Sequence, residues 1–204
     1  MYKKLKFCQQ RYGKTLKMKN PYGIGERHAP TVDLREGDCP LSFTREDFIR
    51  YAGPDQIIAT ALMFQMLKKA SAELANDGLI ERNALKVQVG FPGPGVTDII
   101  ELVLRGSTRN ADNITIKTEG LPKQAPEALI GRFYYEFEYE GKRIALWPVD
   151  GYFTEEFRNM VRGFQPRKGD DAEQSAYQSF KQDLISRLMA TAPDDLFNLK
   201  ILSQ

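Results

Sequence analysis

The sequence contains few cysteines and no long apolar run, and each shortage excludes a class of protein. Its two cysteines, Cys8 and Cys39, do not have the spacing of a metal-binding motif and could form at most one disulfide bond. We expect reduced thiols in a cytoplasmic protein. No stretch of about 18 apolar residues is present, so we expect no membrane-spanning helix. Residues 1–20 are basic but lack the apolar segment of a signal peptide.

Histidine is also scarce, since His28 is the only one, and this excludes a catalytic pair of two imidazoles. With Arg27 and Asp33, His28 could anchor a substrate or act in acid–base catalysis if its loop folds over a cleft. The alternative is a histidine on a surface loop. We expect no metal site from His28, Asp33 and Cys39, because their irregular spacing prescribes no coordination geometry.

The composition that is present suits one folded domain. Hydrophobic residues make up 42% of the 204-residue chain and charged residues 27%, which supports a core and excludes a disordered protein. Residues 1–20 hold seven basic residues and no acid, which leaves 22 basic and 27 acidic residues in the rest. Such an arm could touch an anionic partner, but the chain has no nucleic-acid motif, so a solvated or subunit-crossing arm is the simpler interpretation.

Hydrophobic periodicity predicts an α+β protein with a mixed sheet and a central buried helix. Helices are predicted over 45–51, 55–74, 96–105, 154–161 and 175–190. Strands are predicted over 85–90, 113–118 and 196–202, with an aromatic hairpin over 132–149 that turns at Glu140 and Gly141. We interpret residues 1–44 as a basic arm and loop with a short strand near 31–34, and residues 45–204 as the core domain. A polar linker is predicted near 163–174.

A glycine-rich loop, "GFPGPGVTD" at 90–98, has the glycine spacing of a phosphate-binding P-loop. Val96, however, occupies the position of the P-loop lysine, and Pro92 and Pro94 have no N–H to offer a phosphate oxygen. Asp98 also places a carboxylate where the anion would sit. We therefore predict a tight turn from strand to helix in which Asp98 caps the helix. The alternative is that Asp98 faces a cleft formed with residues 54–56.

Three segments resemble the formylmethanofuran dehydrogenase E-subunit-like family: "GPDQIIATALMFQMLKKASAEL" at 53–74, "VTDIIELVLRGSTRNADNITI" at 96–116 and "LISRLMATAPDDLFNLKIL" at 184–202. That family has an "HGHxCPG" turn before a long helix, a Cys-x-x-Asp segment that opens a second helix, a "TGCTxGKxN" stretch, and a tail helix followed by "LF". The resemblance covers roughly residues 45–120 and 180–202. The family's motif positions correspond to Gly53, Asp98, Glu101, Gly106, Thr108 and Asn113.

The chain departs from the family at the soft metal ligands. Ala52 and Pro54 stand where the family has histidines, and Gln56 and Ser107 stand where it has cysteines, so no metal is expected there. No cysteine or histidine follows Cys39, which excludes the family's C-terminal zinc finger. The resemblance implies an α+β core that dimerises, and a link to one-carbon metabolism and to molybdenum or tungsten enzymes.

Together these observations predict a cytoplasmic, homodimeric protein that binds a small ligand, with no catalytic residue or cofactor assigned. The predicted cleft lies between residues 51–56 and 93–98, and its candidate residues are Tyr51, Gly53, Asp55, Gln56, Asp98, Glu101, Ser107, Thr108 and His28. One of the carboxylates Asp55, Asp98 and Glu101 could have a raised pKa and act as a base. The alternatives are a non-catalytic subunit that docks to a larger redox enzyme through the basic arm and the aromatic hairpin, and a relocated metal site.

Overall fold

The computed structural model describes residues 30–75, 78–164 and 169–203. His28, Cys8 and the basic arm lie outside the described residues, so the predictions made for them stay predictions. A hairpin of β1 (Thr31–Glu36) and β2 (Cys39–Thr44) leads into helix α1 (Arg45–Ala52), a 3-10 turn (Pro54–Gln56) and helix α2 (Ile57–Leu74).

The remaining elements alternate between strands and helices. Next come β3 (Ile80–Glu81), β4 (Lys86–Val89), α3 (Pro94–Leu104), a 3-10 turn (Ala111–Asn113) and β5 (Ile114–Ile116). The chain continues with β6 (Tyr135–Tyr139), β7 (Lys142–Pro148), α4 (Glu155–Phe164), α5 (Asp171–Ala190), α6 (Pro193–Leu196) and β8 (Phe197–Ser203). Among the described residues, none of these helices combines the length and the apolar character needed to cross a lipid bilayer.

The strands form two mixed sheets, which confirms the predicted α+β class. The larger sheet has the order β5-β4-β6-β7-β8, in which β4 and β5 are parallel and the other pairs are antiparallel. The smaller sheet has the order β2-β1-β3, with β1 and β3 parallel. One face of the larger sheet packs against α2, and residues near Ala125 pack against Tyr134 and Trp147 on the other.

Helix α2 is the central buried helix that the sequence predicts. Every residue from Thr60 to Leu67 is buried, because apolar side chains occur on all sides of its first turns. The helix contacts α1, α3, α5, β1 and β7. Gln65 is buried on it and donates from Nε2 to the carbonyls of Leu188 (3.0 Å) and Thr191 (2.8 Å), which ties α2 to the end of α5.

The aromatic hairpin is also as predicted. Glu140 (φ 51°) and Gly141 (φ 85°) both have left-handed backbone conformations, as a two-residue turn of this kind requires. Tyr135, Phe137 and Tyr139 alternate onto the core side of β6 and are buried. These aromatic side chains therefore belong to the core and cannot form a docking surface.

Two sequence interpretations are wrong. The short strand predicted near 31–34 is confirmed as β1, with Val32 and Leu34 buried in the main core, but residues 39–44, interpreted as part of the loop, form β2 and pair with β1 in a hairpin. The predicted linker near 163–174 is also too long, because α4 continues to Phe164 and α5 begins at Asp171. Asp170 caps α5 by accepting the Glu173 N–H at 2.9 Å, while Glu173 accepts the Asp170 N–H at the same distance.

Candidate functional site

The beginnings of α2 and α3 meet, as the predicted cleft requires. The Gly95 N–H in the first turn of α3 donates to Oε1 of Gln56 at 3.1 Å. A Cβ atom at position 95 would lie 2.7 Å from the Cβ atoms of both Gln56 and Ala59. Glycine is therefore needed here so that the two helices can approach.

Close packing also explains the first glycine of the loop. The Gly90 N–H donates to the Tyr134 carbonyl at 2.8 Å, and a Cβ atom at position 90 would lie 2.5 Å from that oxygen. Pro92 and Pro94 have no N–H, and the N–H groups of Gly90 and Gly95 are already donated to protein acceptors. The loop connects β4 to α3 through tight contacts and does not offer the row of free donors that a phosphate needs.

A cavity of about 240 Å³ lies beside these two helix starts. Its apolar walls come from α2, the glycine-rich loop, the segment before β6, and α4, and they include Leu62, Val96, Phe133, Phe153, Phe157 and Val161. Its polar side chains are few: Asp55, Gln56, Tyr177 and Lys181. A concave, mostly apolar site with a small number of polar groups is the usual form of a small-molecule pocket.

Four phenylalanines form one aromatic wall of the cavity. Phe133 stacks on Phe153, with ring centroids 4.1 Å apart and an interplanar angle of 29°. Phe91 meets Phe133 edge-on at 5.0 Å, and Phe157 meets Phe153 edge-on at 5.1 Å. Offset and edge-on rings attract one another beyond their apolar burial, so this wall is held in a fixed shape.

Helix α5 contributes two buried residues with polar ends, Tyr177 and Lys181, one turn apart. Lys181 is only 3% exposed, and its Nζ lies 5.1 Å from the centroid of the Tyr177 ring. Burial raises the pKa of the Tyr177 hydroxyl, and the negative charge of Asp55 raises it further. The phenol is therefore neutral at physiological pH.

Of the residues predicted from sequence, Asp55 and Gln56 line the cavity. Tyr51 and Gly53 precede them in the chain but are not part of its lining. Tyr51 is half exposed, and Gly53 (φ 85°) ends α1 by donating its N–H to Ile49 O at 2.9 Å. His28 lies outside the described residues.

Asp98 neither caps α3 nor lines the cavity. The sequence predicts a helix from residue 96, whereas α3 begins at Pro94 because proline is favoured at the first helical position. Asp98 is thus the fifth residue of the helix, beyond the first turn, and the role in capping expected for it is wrong. The α3 N-terminus is instead occupied by the Gly95 contact with Gln56.

Glu101 is the eighth residue of α3, about 10 Å along the helix from Pro94, and Ser107 and Thr108 follow the end of the helix at Leu104. The structure therefore does not bring these three predicted residues to the cavity. The Glu101 carboxylate accepts the Ser107 N–H at 2.7 Å and the Thr108 hydroxyl at 2.7 Å. Burial alone would raise the pKa of Glu101, but the hydrogen bonds from Thr108 and Ser107 outweigh it and lower the pKa. Glu101 is therefore a structural acceptor and not the base with a raised pKa that the sequence allows.

Sequence reasoning missed Lys181 and most of the aromatic wall. Phe153 and Phe157 are four positions apart in the sequence. Between them, the Thr154 hydroxyl oxygen accepts the Phe157 N–H at 3.3 Å and caps the start of α4. That spacing places both rings on one side of the helix start. On α5 the buried positions are Tyr177, Lys181, Leu184, Ile185 and Leu188, so a lysine inside an apolar stripe was the available signal.

Residues 30–75, 78–164 and 169–203 contain no group of three or more metal-ligating side chains placed to hold an ion. Cys39 is not a free thiol in this part of the chain, so the expectation of a reduced thiol is wrong for it. No model of a known protein family matches the chain, and no curated protein matches its sequence.

Proposed function

We propose that this protein binds a small, largely apolar molecule in the cavity beside the starts of α2 and α3. The observation that carries this proposal is the cavity itself, which has rigid aromatic walls and only four polar side chains. Its volume of about 240 Å³ lies just below the range of about 300–1,000 Å³ typical of pockets for drug-sized ligands. One compact ligand, of the size of a substituted benzene ring, suits such a space.

Membership of the formylmethanofuran dehydrogenase E-subunit-like family is part of the same proposal. It rests on the resemblance of segments 53–74, 96–116 and 184–202 to that family. In the structure these segments contact one another, since Gln56 meets Gly95 and Gln65 meets Leu188. A homodimer and a link to one-carbon or molybdenum and tungsten enzyme metabolism are what the resemblance implies, and a cytoplasmic location is part of the same proposal. No catalytic role is assigned.

The alternative, a non-catalytic subunit that docks to a redox enzyme, loses one of its two proposed contacts. The aromatic hairpin is buried, so only the basic arm remains, and the arm lies outside the described residues. No contact among the described residues favours this function over ligand binding.

The proposed function predicts that a bulkier side chain in the cavity wall abolishes binding. Val161 on α4 lines the cavity and is 8% exposed, so Val161→Trp should fill the space. We expect phenylacetamide, a compact neutral probe, to bind the wild-type full chain in isothermal titration calorimetry and to bind Val161→Trp at least ten-fold more weakly.

The matched control is Asn159→Trp, which adds the same ring to an exposed position on the same helix. This variant should bind phenylacetamide as the wild type does. The proposed function is wrong if neither phenylacetamide nor its carboxylate analogue phenylacetate binds the wild type, or if phenylacetamide binds Val161→Trp and Asn159→Trp equally well while both variants are folded.

A further inference from the structure

Lys181 is the feature of the cavity that apolar binding does not explain. It is 3% exposed, and its single interaction among the described residues is the contact with the Tyr177 ring. A buried ammonium group normally has a carboxylate or several hydrogen-bond acceptors, because removing an unpaired charge from water is costly. The face of one phenol ring compensates only part of that cost.

The other two buried cations show how this chain usually treats such a charge. Lys69 is 8% exposed and donates to Glu73 and Asp194, both at 2.6 Å. Arg82 is 6% exposed, donates to the Leu102 carbonyl at 3.1 Å and pairs with Glu36 at 3.4 Å. Within the described part of the chain, Lys181 differs from both because it has no acceptor of this kind.

Asp55 does not serve as that acceptor. It lines the same cavity and its charge acts on Tyr177, but no salt bridge among the described residues joins it to Lys181. Asp55 is also exposed, so its carboxylate is hydrated and its field is screened by solvent. The cavity therefore has a hydrated carboxylate at an exposed position and, on α5, a lysine that is largely buried and has no carboxylate partner among the described residues.

We propose that the ligand of this cavity is a small apolar monocarboxylate, whose carboxylate pairs with the Lys181 ammonium and whose body packs against the Phe133, Phe153 and Phe157 rings. This inference rests on the proposed function and specifies its ligand class. A carboxylate brings one charge to one cation. A phosphate dianion would need more donors, and the nearby loop has donated its Gly90 and Gly95 N–H groups elsewhere.

Two isosteric probes, phenylacetate and phenylacetamide, test this inference, because they share a ring and differ in charge. In titration calorimetry at pH 7 we expect the wild-type full chain to bind phenylacetate at least ten-fold more tightly than phenylacetamide. Lys181→Met should remove this preference by weakening phenylacetate binding at least ten-fold, and should leave phenylacetamide binding unchanged. Lys200→Met, which removes a charge from an exposed position on β8, should change neither affinity.

Equal affinity of the wild type for the two probes would overturn the carboxylate assignment, and so would undiminished phenylacetate binding by Lys181→Met. Phenylacetamide binding that survives in either case would leave the proposed function intact, whereas failure of both probes to bind would overturn both proposals. If Lys181→Met does not fold, the comparison of the two probes on the wild type decides the question alone.

Discussion

At the scale of single residues, the structure gives different surroundings to two carboxylates that the sequence assigns to the same predicted cleft. Asp55 lines the cavity and is exposed, whereas Glu101 is partly buried at the other end of α3 and accepts hydrogen bonds from residues 107 and 108. Both are candidates for the ligand site because the sequence places each near a helix of the predicted cleft. Which end of a helix faces a cavity depends on tertiary packing, and the sequence spacing of these residues does not contain that information.

Glu101 gives a residue-scale prediction with a pH dependence. Its folded pKa is lowered, so its stabilising effect is fully present above the unfolded value of about 4.3 and is lost as the pH falls through the folded value. Glu101→Gln keeps the shape but removes the charge that strengthens these hydrogen bonds. We expect the free energy of unfolding in urea to fall by about 1–3 kcal/mol at pH 7, and by much less at pH 3.

Glu119→Gln is the control for this measurement, because Glu119 is exposed. That variant should unfold at the same urea concentration as the wild type at pH 7. A Glu101→Gln variant that is as stable as the wild type at pH 7, or equally destabilised at pH 7 and pH 3, would show that the charged hydrogen bonds do not hold the end of α3.

At the scale of elements, the site depends on how closely α2 and α3 approach at their beginnings. Gly95 permits this approach, and its N–H fixes the Gln56 side chain that lines the cavity. Helix α2 could be predicted from its continuous apolar sequence, and the turn before it from Gly53 and Pro54. Gly95 and Gln56 are 39 positions apart in the sequence. The sequence predicts that the starts of the two helices converge, but it does not predict which atoms meet there.

Gly95→Ala tests this contact at the scale of elements. The added methyl group would lie 2.7 Å from Ala59 and Gln56, so the two helices must move apart. We expect the free energy of unfolding to fall by about 1–3 kcal/mol, as is typical of overpacked interiors. Urea unfolding monitored by circular dichroism would measure the loss.

Gly163→Ala is the matched control, because a Cβ atom at position 163 on α4 meets no atom of the described residues within 4 Å. Alanine is a better helix former than glycine, so this variant should gain about 0.5–1 kcal/mol. If Gly95→Ala is as stable as Gly163→Ala, the two helix starts are not in close contact and the geometry of the site is wrong.

There are physical reasons why some features of the fold and the site could not be predicted from the sequence. Strand β2 was not predicted, because Gly37 (φ 61°) in the turn before it and Pro40 within it are residues typical of loops and interrupt its short apolar alternation. The first turn of α5 is polar and shows no apolar period, although Asp170 and Glu173 have capping-box spacing. Lys181 was missed because most lysines on helices are solvated, so its place within the apolar stripe of α5 was not recognised, and the fold was needed to show that it lines a cavity with Phe153 and Phe157.

At the scale of the whole molecule, the cavity is assembled from segments far apart in the chain. Residues 55–62 contribute one side, 91–96 and 129–133 a second, 153–161 a third and 177–181 the last. Helix α2 is packed between the larger sheet and α5, so the topology brings Lys181 of α5 to the cavity beside the start of α2. The fold class could be predicted from the order of the elements, but the cavity wall could not, because it depends on this long-range packing.

The most direct test of the central claim is a crystal structure of the full chain soaked with phenylacetate. The account predicts electron density for the probe inside the cavity, with its ring against Phe133 and Phe153 and its carboxylate within hydrogen-bond distance of Lys181 Nζ. A cavity that is closed by protein side chains, or one that stays empty while the probe binds elsewhere, would contradict it.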